Sequence, residues 1–319
     1  MPEAQVAVKL YEPWMRDQII GLTEMEYPFM KGWYEKRFEA LYESEFLKNR
    51  NGLIVAVAGS DKIIACISYI YWPVSFKGKI LNSYQMVGLI VDPAYRGIGL
   101  FKKTLSKMDE ILQTLKPDVV IGFPVEESKQ GFLKQGWKNN FNLAWYLMPV
   151  NPISLFKKRD FTGKLFDTGA PIPMASDNYL QTAPSQEFWN LRENFFPDWP
   201  TYHKTYTLDN ENVQIIFRIQ KIRGYNVAVI GRVYSGNASL KLIYKALKLW
   251  VSDLRKNGTV LAATAAVNES CASGEQQAIR KLMFRTNKNI VVIVKSYADN
   301  PNVADAENWN LMRGDMETW

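Results

Sequence analysis

Arg96, Gly97 and Gly99 are the residues whose types and spacing most directly describe chemistry in this chain. Two glycines let a backbone curl and come close to a ligand, and the amides that open a helix lack intrahelical partners. Such amides, together with the helix dipole, favour an anion. Arg96 adds a planar, fork-shaped cation beside them. Arg96-Gly97-Ile98-Gly99-Leu100-Phe101 therefore reads as a cradle for a phosphate or pyrophosphate, with an ordinary tight strand-to-helix turn as the alternative. A dinucleotide fingerprint would need a third glycine at position 102, which is Lys102, and no Gly-Lys-Ser/Thr ending of a phosphate-binding loop is present.

The neighbouring pattern supplies the elements that would hold this turn. Lys79 to Val91 reads as a strand whose end, Leu89, Ile90 and Val91, is apolar, and Pro93 stops it by removing a ladder donor. From Leu100 onward Phe101, Leu105, Met108, Ile111, Leu112 and Leu115 recur at three- and four-residue spacing, which predicts an amphipathic helix. Upstream, Val6 to Tyr11 reads as a short strand, with helices at Met15 to Glu26 and Lys31 to Lys48. Leu53 to Ala58 and Lys62 to Tyr71 form a hairpin about Gly59. Val119 to Phe123 and Asn142 to Met148 read as further strands.

Taken together, Val91-x-Pro93-x-Tyr95-Arg96-Gly97-x-Gly99 resembles the coenzyme-A signature of the GNAT N-acetyltransferase superfamily, whose core is Gln/Arg-x-x-Gly-x-Gly/Ala. Arg96 and Gly99 match that core, while Phe101 stands where its last small residue usually lies. Gly122 to Ser128 and Gly131 to Trp137 resemble the next motif, a strand, a short helix and a Gly-aromatic ending. The resemblance implies a mixed-sheet α/β fold of the GNAT type, with acetyl-CoA or another acyl-CoA as co-substrate. It assigns Leu89, Ile90 and Val91 to the pantetheine arm and thioester through their backbone groups, and Arg96 to Phe101 to the pyrophosphate.

The proton-handling groups depart from the family pattern. The strand before the turn offers Asn82, Ser83, Tyr84 and Gln85 but no carboxylate, and the family's tyrosine acid and asparagine fall at Phe132 and Val125. Glu126, Glu127 and Ser128 follow Pro124 at the mouth of the next strand. Glu126, acting through a water, is the expected base, and Tyr84 or Ser128 the shuttle to the leaving thiolate. For the glutamate pair, a helix N-terminal charge complementing the dipole is an equal alternative. The single histidine, His203, cannot support a histidine-based metal cluster and reads as a packed residue; no metal is expected. Trp33, Trp72, Trp137 and Trp145 read as core or as walls of an acceptor cleft.

With 319 residues, two domains are expected. Residues 1–150 form the first, the proline-punctuated stretch 151–180 connects, and 181–319 form the second. The second half repeats the rhythm of the first: strands at Val213 to Lys221 and Tyr225 to Val233, a helix at Ala238 to Lys256, a strand at Val260 to Val267, a helix at Glu275 to Phe284, and a strand at Ile290 to Lys295. Only Gly236 marks its strand-to-helix junction, so it reads as a degenerate GNAT-like copy without a second coenzyme site. Glu187 to Arg192 and Trp309 to Asp315 resemble segments of duplicated GNAT-type proteins encoded with bacterial surface-polysaccharide pathways.

A net charge of +7 favours an anionic partner, yet the clearest basic cluster, Lys157-Lys158-Arg159, is short and nucleic acid is not expected. The longest apolar stretch, Ile63 to Val74, is 12 residues and cannot span a bilayer. Two distant cysteines give no disulfide framework, and the N-terminus carries Glu3 and Lys9 with no apolar signal core, so no export signal and a reducing cytoplasm are expected. The expected activity is N-acylation of a small-molecule amine, an amino sugar or its nucleotide-linked form. A non-catalytic acyl-CoA sensor and a FemABX-like aminoacyl transferase remain as alternatives.

Overall fold

β-Branched and aromatic runs alternate with amphipathic helices through most of the chain, and the computed structural model resolves this alternation into fifteen strands and seven α-helices among the described residues. Those residues are 6–47, 49–156, 159–169, 178–183, 185–196, 198–298 and 300–319. Lys157 and Lys158 of the basic cluster, and Pro171 and Pro173 of the connecting stretch, lie outside them.

In chain order the first elements are β1 (Val6–Leu10), α1 (Arg16–Glu26), α2 (Tyr34–Phe38), β2 (Gly52–Ala58), β3 (Lys62–Tyr71), β4 (Val74–Phe76), β5 (Lys79–Leu81) and β6 (Ser83–Val91). There follow α3 (Leu100–Leu115), β7 (Val119–Gly122), α4 (Glu126–Leu133), β8 (Lys138–Pro149), β9 (Asp167–Thr168), β10 (Gln181–Thr182) and α5 (Gln186–Glu193). The chain ends with β11 (Thr201–Leu208), β12 (Glu211–Ile222), β13 (Tyr225–Tyr234), α6 (Leu240–Asn257), β14 (Val260–Asn268), α7 (Gly274–Leu282) and β15 (Phe284–Lys295). No described helix is long and apolar enough to cross a membrane.

Two compact units account for these elements. The first comprises Met1–Pro73, Leu81–Asn139 and Ile293–Asn300; the second comprises Val74–Ile80, Asn140–Val292 and Pro301–Trp319. In the first, β1, β2, β3 and β6 pair antiparallel in sequence, and β6 then pairs parallel with β7. The strand antiparallel to β7 is Ile293–Lys295, from the far end of the sequence. Lys295 Nζ anchors it, 2.8 Å from Asp109 Oδ2, and Tyr297 Oη also donates to Asp109. Met15, Ile19, Leu22, Tyr34 and Phe38 of the N-terminal helical region pack on Leu53, Val55, Cys66 and Ile90, while Leu100 packs on Ala56, Ile64 and Ala65.

The expected helix at Lys31 to Lys48 is interrupted. Only Tyr34–Phe38 is α-helical, and Glu39–Glu43 widens into a π turn. Such turns reset the facing of the residues that follow. Likewise Lys79 to Val91 breaks at Asn82 into β5 and β6.

The second unit repeats the plan: β11, β12 and β13 are antiparallel, β13 is parallel to β14, and α6 intervenes between them. The strand antiparallel to β14 is Leu143–Pro149 of β8. Its core joins Trp250, Leu247 and Ile243 of α6 to Val213, Phe217 and Ile230 of the strands. The aromatic stretch from Phe195 to Tyr206, which has no evident period in sequence, contributes β11.

Candidate functional site

The glycine turn takes the geometry its residue types require. Gly97 and Gly99 have φ of 86° and 81°, a left-handed region that L side chains avoid. Gly99 is the N-cap of α3 and, having no side chain, makes no side-chain cap hydrogen bond to the first turn. By contrast α5, α6 and α7 each begin at a serine, Ser185, Ser239 and Ser273, whose hydroxyl accepts from an amide of the first turn. The α6 junction is thus already capped, whereas the α3 junction, like the starts of α1, α2 and α4, has no side-chain cap. A Cβ added at Gly97 or Gly99 would meet no atom within 4 Å, so the space above the turn is open.

Arg96 stands beside the turn, and its side chain is 53% exposed. Its Nη2 lies 2.8 Å from Glu26 Oε2 at the end of α1, and its Nε donates to the Val91 carbonyl at 3.2 Å. Before it, the Asp92 side chain accepts from the Ala94 amide at 2.9 Å and starts the short helical turn Pro93–Tyr95. Ile98 is exposed, and Leu100 is buried under the turn.

Phe101 has a packing role. A Cβ on Gly131 would sit 2.6 Å from Phe101 Cε1, so the ring lies directly on the α4 backbone. It meets Phe132 edge-on at 5.1 Å, and Phe132 meets Trp137 at 5.5 Å. Position 101 is large because α4 carries no side chain at residue 131. Phe132, where the family pattern has a tyrosine acid, is buried within this stack.

Strand β6 parts from β7 after Met86. Its parallel ladder with β7 pairs Ser83 with Val119 and ends at Met86 with Gly122, while residues Val87 to Val91 continue beside β3. On the β3 side the register shifts between Ser68, opposite Val87, and Cys66, opposite Ile90. Ile67 therefore faces both Gly88 and Leu89, a β-bulge, and Gly88 has φ of 63°. The lone glycine within the run Val87-Gly88-Leu89 was the available sequence signal for this kink. Beyond it, Ile90 is buried and Leu89 and Val91 are partly exposed.

The candidate proton carriers fall in different settings. Tyr84 is buried and packs edge-on against Tyr69 at 5.4 Å and Tyr71 at 6.1 Å. Burial pushes its pKa up, the neighbouring Tyr71 adds to this, and Arg50 opposes it. Tyr84 shares a strand face with Met86, two residues before the opening. Glu126 lies in the first turn of α4, its side chain 74% exposed and 3.8 Å from Lys129 Nζ. Ser128 Oγ donates to the Val125 carbonyl at 3.1 Å.

Of the remaining sequence candidates, Trp72 and Trp137 are buried. Trp33 Nε1 donates to the Phe29 carbonyl at 2.9 Å. In the second unit His203, on β11, has its Nδ1 4.0 Å from Asp167, and burial holds its pKa below the usual value. That unit also buries Arg192, Arg218 and Arg232, which composition alone would have placed at the surface. Arg232 pairs with Asp315 at 2.9 Å, and Arg218 stacks 4.6 Å from the Trp319 ring.

No protein-family model and no curated protein matches this sequence. Solved structures do match its fold. A GCN5-related N-acetyltransferase from Anabaena variabilis superposes with a TM-score of 0.64 at 10% identity, over 92% of this chain and 73% of that one. One from Kribbella flavida gives 0.58 at 9% identity, over 92% and 71%. Eis1 from Mycobacterium abscessus gives 0.57 at 10% identity, over 95% and 76%. The expected mixed α/β fold of the GNAT type is the one observed, and the likeness extends across most of the chain.

Proposed function

We propose that the protein is an acyl-coenzyme A-dependent N-acyltransferase that moves an acetyl or other short acyl group to the amine of a small molecule. The observation that carries this reading is the uncapped Gly97–Gly99 helix start at the end of a strand that parts from its neighbour at Met86 and Gly122. The α3 amides and the Arg96 guanidinium would hold the pyrophosphate, with Gly97, Ile98, Gly99, Leu100 and Phe101 as the cradle. The backbone of Leu89, Ile90 and Val91 would run beside the pantetheine arm, in the manner of an added strand.

Transfer forms a bond between the amine nitrogen and the acyl carbon as the carbon–sulfur bond breaks. One proton leaves the amine and one is taken up by the thiolate. Tyr84, whose burial keeps it protonated, is suited to donate to sulfur and not to act as base. Glu126 is the assigned base, through a water, with Ser128 as the alternative shuttle. An amino sugar or its nucleotide-linked form is the proposed acceptor, supported by the resemblance of Glu187 to Arg192 and Trp309 to Asp315 to segments of duplicated GNAT-type proteins. The second unit, whose α6 start is closed by Ser239, then serves as a degenerate GNAT-like domain without its own coenzyme site. Two free, buried cysteines fit a reducing cytoplasm.

A second reading, an acyl-CoA sensor, is favoured by Phe132 in the position of the family's acid and by the exposure of Glu126. Calorimetric titration with acetyl-CoA tests both, and absence of binding at millimolar ligand overturns both. A thiol-release screen over amino sugars, polyamines and amino acids then separates them. Turnover that falls by about a hundredfold or more in Glu126→Gln, with acetyl-CoA binding retained, supports the enzyme and its base. An unchanged rate removes Glu126 from that role.

A further inference from the structure

The β6 bulge is held by side chains. Where the β3–β6 register shifts, Ser68 Oγ lies 3.2 Å from the Val87 carbonyl and Cys66 Sγ lies 3.6 Å from the Gly88 carbonyl. Both carbonyls can only accept, so the hydroxyl and the thiol must donate. Ser68 has a single proton, and its oxygen is therefore left to accept from Tyr42 Oη, 2.7 Å away. The chain of donors runs one way, from Tyr42 through Ser68 to Val87. Tyr42 belongs to the π turn Glu39–Glu43, the segment whose geometry departs from the helix that its sequence suggests. Burial holds both the Tyr42 phenol and the Cys66 thiol protonated, so neither donor is lost near neutral pH.

We propose that Tyr42, Ser68 and Cys66 are positioning residues: they clamp two successive carbonyls of the bulge toward β3 and so aim the Gly88 and Leu89 amides into the gap beyond Met86 and Gly122, where they receive the acyl carbonyl. The inference rests on the acyl-coenzyme A reading above. Its physical basis is that each peptide unit is planar, so fixing a carbonyl on one side of the strand fixes the following amide on the other. Side-chain partners add to the main-chain ladder in limiting rotation of these peptides, and preorganised donors are worth more than donors that must reorganise.

The test compares the affinities of acetyl-CoA and CoA, which differ by the acyl carbonyl, in the wild type, Ser68→Ala, Ser68→Thr and Tyr42→Phe. Amide hydrogen exchange over Gly88 and Leu89 is followed in the same proteins. In the wild type acetyl-CoA binds more tightly than CoA. In Ser68→Ala that preference falls roughly three- to tenfold, as loss of one hydrogen bond requires, while the affinity for CoA itself holds. Tyr42→Phe shows a smaller fall, Ser68→Thr restores the preference, and exchange at Gly88 and Leu89 quickens in Ser68→Ala. A role in stability alone would weaken both ligands equally. An unchanged preference, or unchanged exchange at these amides in both Ser68→Ala and Tyr42→Phe, overturns the clamp. Failure of the wild type to bind either ligand overturns the acyl-coenzyme A reading and the acyl-carbonyl role together, and exchange still decides whether the clamp exists.

Discussion

Arg96 Nη2 lies 2.8 Å from Glu26 Oε2, so the guanidinium beside the Gly97–Gly99 turn is already held by a carboxylate from the end of α1. An exposed pair of this kind contributes little to stability, typically below about 1 kcal/mol. It competes, however, with any anion that approaches the turn. A ligand phosphate must either share Arg96 or displace Glu26.

Glu26→Gln removes the competitor and leaves the guanidinium in place. Affinity for acetyl-CoA is expected to rise by about two- to fivefold at low salt, and the gain to shrink as ionic strength rises. Calorimetry at two salt concentrations measures both. A weaker affinity would mean that Glu26 orients Arg96 for the ligand.

Gly99→Ala places a methyl group into the open space above the turn and forces an L residue to φ of 81°. The backbone cost is about 1–2 kcal/mol, readable as a modest fall in thermal midpoint. Acetyl-CoA affinity is expected to drop more than stability does, by about tenfold or more, because in the proposed site the methyl would stand where the phosphates approach the amides. Equal affinities in the variant and the wild type would remove the turn from the site.

Gly131→Ala brings a Cβ to 2.6 Å from Phe101 Cε1 and should destabilise by about 1–3 kcal/mol. Combined with Phe101→Leu, which vacates the ring edge, the cost should be less than the sum of the two single changes. Denaturant melts of the four proteins give the coupling. Strict additivity would contradict the direct contact between α3 and α4.

Stability should fall on the alkaline side. Burial raises Tyr34 and Tyr69 to about 12 from their usual 10.0, and Cys66 to about 12 from 9.0. The unfolded chain releases these protons from about pH 9 to 10, whereas the folded chain keeps them until about 12. The unfolded state therefore binds fewer protons in that window, and stability declines as pH rises through it, by at most about 1.4 kcal/mol per pH unit for each group. Tyr34→Phe should flatten the slope of the thermal midpoint between pH 9.5 and 11.5, and an unaltered slope would show that Tyr34 does not contribute.

Local pattern carried much of the first unit. The apolar spacing from Leu100 to Leu115 gave α3 because every third or fourth side chain of that stretch is buried against the sheet. The two glycines located the turn because only a residue without Cβ enters the left-handed region cheaply. Where competing interactions are non-local, sequence reading lost its hold. Lys31 to Lys48 has a helical period, yet the chain widens into a π turn at Glu39–Glu43, and Tyr42 Oη there bonds to Ser68 on β3. Nothing in the spacing of Tyr34, Phe38, Leu41 and Tyr42 foretells that partner.

By itself the sequence determined where the glycine turn would form, which strand leads into it and which helix follows, since glycine conformations, proline stops and apolar periods act over a few residues. Only the tertiary structure decided that Phe101 is large because Gly131 is small, that Glu26 reaches Arg96, and that Ile293–Lys295 closes the first unit beside β7. Each of these depends on residues distant in the chain being brought within contact range. Strand pairing, ion pairing and packing are set by that proximity, which composition and local spacing do not encode.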